Sequence, residues 1–312
     1  GDAVELDVAW QASLVRASSP LFAATSSSST YLGAAQPTAA RRLVDFDPVL
    51  VSTSSKNGAL LLEHNLDQLA LAYHGSAFSV VAGRQVVSWG TGLLWNPTDL
   101  FSPFAPTDVD REVRRGADAL RVSVPLGATT EIEALYLPQQ TLGDQGGVLR
   151  ARANVFDFDI SATVAKYVGD AVAGADFAGD VGPVQIHGEA AYTLPIARLD
   201  TDSASLDVDA SFVRAVAGVE MRPPEKWFVV AEYYFNGFGS DDASGYLAKL
   251  RSDRIARGEI FGAGRHYVGA TTSYAFDDVT SVATTAIVNV TDPSVLIAPS
   301  FEHSFTQHVL LR

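Results

Sequence analysis

Successive strand-length runs in this chain carry polar residues at every second position, and the sign of the charge on the polar side changes from run to run. Ala119, Arg121 and Ser123 alternate with Leu120, Val122 and Val124, and in the next run Glu131 and Glu133 alternate with Ile132 and Ala134. A third run sets Arg150, Arg152 and Asn154 between Leu149, Ala151, Ala153 and Val155. A fourth sets Asp157, Asp159, Ser161 and Thr163 between Phe158, Ile160, Ala162 and Val164. Side chains of a strand point alternately to opposite faces, so each run has one apolar and one polar face. If neighbouring runs pair as hairpins, arginine meets glutamate and then aspartate across the ladder, each pair adding a few tenths to about 1 kcal/mol. A polar face organised in this way suits the wall of a water-filled space.

Hydrophobic residues make up 47% of the chain, yet no stretch approaches the roughly 18 consecutive apolar residues of a membrane-spanning helix. Long capped segments of helical period are missing as well. Ala, Val, Ser, Thr and Tyr instead fill short alternating runs of about 10 residues, separated by Gly, Pro, Asp and Ser. The chain therefore reads as all-β. Its net charge of -14 repels phosphate backbones, so no nucleic-acid partner is expected. The absence of cysteine excludes disulfides and thiolate metal sites, and fits export through an oxidising compartment. Gly1-Asp2-Ala3 leads directly into a strand pattern, which gives the expectation that a secretion signal has been removed.

The first run, Val4 to Leu14, alternates well, and Ser18 to Thr30 reads as a Ser-rich loop. Runs resume at Leu43–Val51, Ala59–Tyr73 and Ala77–Trp89, although the alternation slips around His64–Asp67 and around Gly83. Residues 90–117 interrupt the rhythm with Pro97, Pro103 and Pro106, followed by a charged string from Asp108 to Arg115 able to form about two helical turns. After the four central runs come Val184–Tyr192, Leu206–Gly218, Trp227–Phe235, His266–Phe276, Thr280–Val290 and Val295–Phe305. Gly237–Gly262 reads as a second long loop with a short helix at Tyr246–Arg257. The count is about 14 strands, within 12 to 16 once boundary error is allowed for. Residues 1–312 are expected to form a single antiparallel β-barrel with the 90–117 insert, alternating long and short connections, and no repeat of the propeller or solenoid kind.

A soluble sandwich shows the same period-two pattern. Three features favour a transmembrane barrel. The runs match the 9 to 11 or so residues that a tilted strand needs to cross a bilayer. Tyr73, Trp89, Tyr136, Tyr167, Tyr192, Trp227 and Tyr274 fall near run ends, where an aromatic girdle would sit. Opposed charges at mid-run depth suit a wet lumen, lined by Arg121, Glu131, Glu133, Arg150, Arg152, Asp157 and Asp159.

The stretch Gly83-Arg84-Gln85-Val86-Val87-Ser88-Trp89-Gly90, with Asn96-Pro97-Thr98-Asp99-Leu100-Phe101 and residues 111–119, resembles a region of porin-like outer-membrane barrels of Gram-negative bacteria. Uncharacterised and alginate-export-type barrels carry a similar Gly-Arg-Gln strand leading into an extended loop. The resemblance covers less than half of the chain and speaks to fold and location more than to substrate. It implies an insert folded toward the pore, bringing Asp99, Asp108, Asp110, Arg111, Glu112, Arg114 and Arg115 near the channel. It also implies a last strand closing on an aromatic residue. This chain ends on Arg312, giving the expectation that the native terminus lies beyond it.

Chemistry is weakly signalled. The six histidines show no metal-ligand spacing, and neither HExxH nor a Gly-x-Ser-x-Gly elbow occurs. The pairs Asp45/Asp47, Asp108/Asp110, Asp157/Asp159 and Asp207/Asp209 lack the context of a calcium loop and read as ion-paired walls. No cofactor, metal or catalytic step is expected. Arg114 and Arg115 are candidates for selecting anions or sugar hydroxyls, with an ion pair to Asp110 or Glu112 as the structural alternative. The expected protein is an outer-membrane channel, in contact with lipid and passing small polar solutes. The alternative is a scaffold barrel with a plugged lumen that binds envelope protein partners.

Overall fold

The computed structural model describes residues 3–17, 42–43, 49–54, 58–101, 106, 116–140, 144–199, 203–206, 210–223, 226–306 and 309–311. Seventeen strands are present among them: β1 Ala3–Ala17, β2 Val49–Ser54, β3 Gly58–His74, β4 Ser79–Gln85, β5 Ala117–Pro125, β6 Glu131–Leu137, β7 Gly146–Val155, β8 Phe158–Tyr167, β9 Asp170–Val181, β10 Val184–Leu199, β11 Ser203–Leu206, β12 Phe212–Met221, β13 Trp227–Asn236, β14 His266–Ala275, β15 Thr280–Asn289, β16 Ser294–Thr306 and β17 Val309–Leu311. All belong to one antiparallel sheet. Three are short attachments: β2 lies beside β3, β11 beside β10 and β17 beside β16. The other fourteen pair in chain order from β1–β3 through β15–β16. Among the described residues no ladder joins β1 to β16.

The connections divide by end. At one end they run through 75–78, 126–130, 156–157, 182–183, 222–226 and 276–279, all short. At the other lie 86–116, 138–145, 200–211 and 237–265, together with the tight connections 168–169 and 290–293. The turn between β7 and β8 is built on Phe156 and Asp157, both at positive φ (54° and 65°), the geometry that matches the twist of paired strands. Asp277 and Asp292 fix their turns by accepting hydrogen bonds from the backbone N–H two residues on, at 2.9 and 3.0 Å.

The two faces of the sheet differ as the alternation demands. Leu71, Leu120, Leu149, Ile160 and Val164 are exposed on one, while Ser161, Thr163, Asp176, His187, Glu189, Arg214 and Glu232 are buried on the other. An exposed face this rich in large aliphatic side chains is far beyond the patch a water-soluble monomer tolerates. The polar face is buried because the sheet curls around residues 86–101, which touch β7, β8, β10, β13 and β14 from the same side. Trp89 lies under Arg150, Phe101 packs edge-on against Tyr167, and Trp95 stacks on Tyr234.

Several sequence expectations need correction. The strand β9 was missed, because Asp170-Ala171-Val172-Ala173-Gly174-Ala175-Asp176 carries too few large apolar side chains to register as a run. Trp89 and Tyr167 do not belong to an outer girdle. Both face inward, 5% and 3% exposed, whereas Tyr136, Tyr192 and Trp227 are exposed. The slip at His64–Asp67 is a register shift: Ala9 pairs with Gln68 and Trp10 with Leu66, leaving Asp67 as the extra residue. Around Gly83, where φ is 124°, the ladder is unbroken. The pattern looks broken there because Arg84 sits on the outward face, bonded in two places to Asp118 (2.7 and 3.1 Å), which also accepts the Leu43 N–H at 2.8 Å. The expected helix near Tyr246–Arg257 forms as two short pieces, α1 Tyr246–Leu250 and α2 Asp253–Ala256.

Candidate functional site: the inner face and its anchored insert

Strand pairing lines the inward side chains into rows. One row runs Glu131, Arg152, Ser161, Asp176, Glu189, Val216, Tyr234, Tyr267, Asn289. Beside it toward the short-turn end lies Asn154, Asp159, Ala178, His187, Gly218, Glu232, Gly269. Opposite charges are paired along and between rows. Arg152 reaches Glu131 at 2.6 Å, Arg150 lies 3.8 Å from Glu133 and 3.6 Å from Asp176, Arg121 lies 4.0 Å from Glu133, and Asn154 donates to Asp159 at 2.9 Å.

Two glutamates on this face hold the insert. Glu189 accepts the backbone N–H groups of Thr91 (3.0 Å), Gly92 (3.3 Å) and Thr98, and the Thr98 hydroxyl at 2.7 Å. Glu232 accepts those of Leu93 (2.5 Å), Leu94 (3.0 Å) and Trp95 (3.3 Å), and meets His187 Nε2 at 2.9 Å. Each hydrogen bond to a charged acceptor contributes roughly 1.5–3 kcal/mol, so the two carboxylates fix the path of residues 90–98. Apolar packing on both sides reinforces them. Leu94 and Trp95 insert among Val216, Tyr234 and Tyr267, while Val87, Trp89, Leu100 and Phe101 pack on Leu135, Leu137, Val148 and Tyr167.

A second inward element comes from the 237–265 connection. Arg254 binds Asp170 through both nitrogens (2.5 and 2.7 Å), Arg257 pairs with Glu259, and Arg214 donates to the Glu259 carbonyl at 2.7 Å. Burial alone would lift the Glu259 carboxyl, but Arg214, Arg257 and Arg254 hold it below the usual carboxylate range.

Of the residues singled out from sequence, Arg121, Glu131, Glu133, Arg150, Arg152 and Asp159 share this inward face. Asp157 stands in the β7–β8 turn. Asp99 is buried within the insert, where it accepts the Phe101 N–H at 3.2 Å. Asp108, Asp110, Arg111, Glu112, Arg114 and Arg115 lie outside the described residues, as do the pairs Asp45/Asp47 and Asp207/Asp209. The Arg150 and Arg152 rows meet no aspartate of β8. Their register partners there are Thr163 and Ser161, and the aspartate that Arg150 meets, in addition to Glu133, is Asp176 of β9. Glu189, Glu232, His187 and Asp176 were not legible as functional. Their only sequence signal is an inward parity shared with Ala191 and Tyr234. Among the described residues no group of three or more histidines or carboxylates could hold a metal ion.

Neither a family model nor a curated protein sequence matches the chain. Solved structures do. OccK11 (OpdR) of Pseudomonas aeruginosa superposes with a TM-score of 0.52 at 10% identity, over 78% of this chain and 73% of that one. The fold is that of an outer-membrane porin barrel. An anion-selective porin from Comamonas acidovorans matches over 96% of this chain and 95% of its own, at 10% identity and a TM-score of 0.46. The outer-membrane channel DcaP of Acinetobacter baumannii matches over 81% and 77%, at 14% identity and 0.44.

Proposed function

We propose that the chain is a bacterial outer-membrane channel through which small polar solutes diffuse, its exposed aliphatic face in lipid. In this reading Arg121, Glu131, Glu133, Arg150, Arg152 and Asp159 line the lumen, with Asp157 at its periplasmic rim. The insert is the constriction. Asp99 belongs to it, as do Asp108, Asp110, Arg111, Glu112, Arg114 and Arg115. The observation that carries the proposal is the tethering of residues 90–98 to Glu189 and Glu232: a segment held across a polar interior by backbone hydrogen bonds narrows that interior at a fixed place. Opposed charges beside it orient dipolar solutes rather than select strongly for one ion sign. The reading involves no catalytic step and no cofactor. The finer likeness to alginate-export-type barrels belongs to the same proposal and is supported by the Gly83-Arg84-Gln85 strand running into the insert. Planar-bilayer recording tests it: folded protein should give discrete conductance steps, and a silent bilayer would exclude an open pore.

Apolar packing of the insert against both β5–β10 and β12–β15 favours one second reading, a plugged scaffold barrel bound to envelope proteins. A silent bilayer together with a partner that survives detergent extraction would select it.

A further inference from the structure

Beside Gly90 and Thr91, on the short-turn side of the insert, the inner face forms a half-open cavity of about 440 Å³. Its walls are the β5–β6 turn and the inward side chains of β6 to β9, among them Glu131, Arg150, Arg152, Asn154, Asp159 and Asp176. The turn is closed over it by two backbone hydrogen bonds, Leu126 N–H to Thr130 and Asn154 N–H to Thr129 (2.8 and 3.3 Å). The volume is that of a small-ligand site.

The charges differ in availability. Arg150 is largely buried and shared between Glu133, Asp176 and Ser161, and so belongs to the wall. Arg152 has a side chain 60% exposed and one contact, Glu131. Asp159 is exposed, and one of its oxygens accepts from Asn154. Arg152 pairs in register with Ser161 and Asp159 with Asn154, so the two available charges are diagonal neighbours on adjacent strands, their backbone positions about 7–8 Å apart. A guanidinium and a carboxylate on diagonal positions of one face complement a solute bearing a carboxylate and an ammonium a few bonds apart. Three acids against two arginines leave the cavity one charge negative, which disfavours simple anions.

We infer that this cavity is a docking site for small zwitterionic solutes of the amino-acid and dipeptide class, with Arg152 receiving the carboxylate and Asp159 the ammonium. Neutral sugars satisfy neither charge, and monocarboxylates satisfy only one while meeting Asp159 as a like charge. The inference rests on the channel reading for its route of access, but not for the chemistry of recognition.

Titration of the full chain in detergent by calorimetry, with glycylglycine, glucose and propionate as probes, tests the site directly, and current interruption in planar bilayers tests it in place. Glycylglycine should bind at least about tenfold more tightly than either other probe, and R152A and D159N should each weaken it by about tenfold or more, as loss of one charged hydrogen bond implies. Strand circular dichroism of both variants confirms that the barrel has formed, and R152K should retain part of the affinity. Equal affinity for glucose and glycylglycine, or folded R152A and D159N proteins that bind as wild type does, would overturn the site while leaving a conducting channel intact. Selective glycylglycine binding by a barrel that never conducts would uphold the site and remove the channel.

Discussion

His187 and Glu232 meet across a strand that lies between them. Nε2 and Oε1 are 2.9 Å apart, and the residue paired with both, on β12, is Gly218. Any larger residue would obstruct the contact, since a Cβ at Gly218 would lie 2.7 Å from Glu232 Cγ and closer still to His187 Nε2. One bare position in the sheet thus lets β10 and β13 act together on the insert.

Replacing Gly218 with alanine should therefore do more than overfill a wall. The methyl must push His187 off Glu232, at a cost of about 1–3 kcal/mol. Unfolding in detergent should show that loss, and G218A channels should flicker more than wild type because Glu232 also holds Leu93, Leu94 and Trp95.

The other anchor predicts a graded effect. In E189Q a neutral amide faces the N–H groups of Thr91, Gly92 and Thr98, so the charge assistance of those bonds is lost and stability should fall by about 2 kcal/mol. A loosened insert should raise single-channel conductance and become cleavable by added protease. Unchanged conductance and resistance in E189Q would show that apolar packing alone holds the insert.

Acid should loosen the 237–265 connection only at and below the ordinary carboxylate range. Because Glu259 has its folded-state proton affinity depressed by three arginines, the cluster contributes fully above the ordinary carboxylate range and is lost as pH falls through the depressed folded value. Melting temperature should hold from neutral pH down to that range and drop below it. E259Q, leaving buried arginines short of a partner, should lose about 3–5 kcal/mol at neutral pH and show a flatter acid limb. An acid limb identical to wild type would remove Glu259 from this role.

Arginine substitutions distinguish the two faces. Leu149, 52% exposed on the outward face, should cost about 2–4 kcal/mol as L149R if it meets hydrocarbon. The inward S123R, beside Glu133, should cost under about 1 kcal/mol. Denaturant titration in lipid vesicles measures both, and equal costs would reject the outward face as lipid-facing.

What the sequence determined by itself was the period and therefore the faces. Alternation at Leu120/Arg121 or Leu149/Arg150 fixes which side chains share a surface, because the two-residue repeat of a strand is local geometry that no tertiary contact needs to supply. Fold class and the shared face of Arg121, Glu131, Glu133, Arg150, Arg152 and Asp159 follow from it, whereas β9, with its small side chains, does not. Register and curvature are different in kind, being relations between strands far apart in the chain. Only the tertiary structure decided that Arg150 meets Asp176 rather than an aspartate of β8, that Trp89 turns inward as part of the insert with Tyr167 packed on the same segment, and that Glu189 and Glu232 grip backbone 91 to 139 residues away. Those glutamates look like any other inward polar residue until the sheet curls and brings the amides of residues 91–98 within reach.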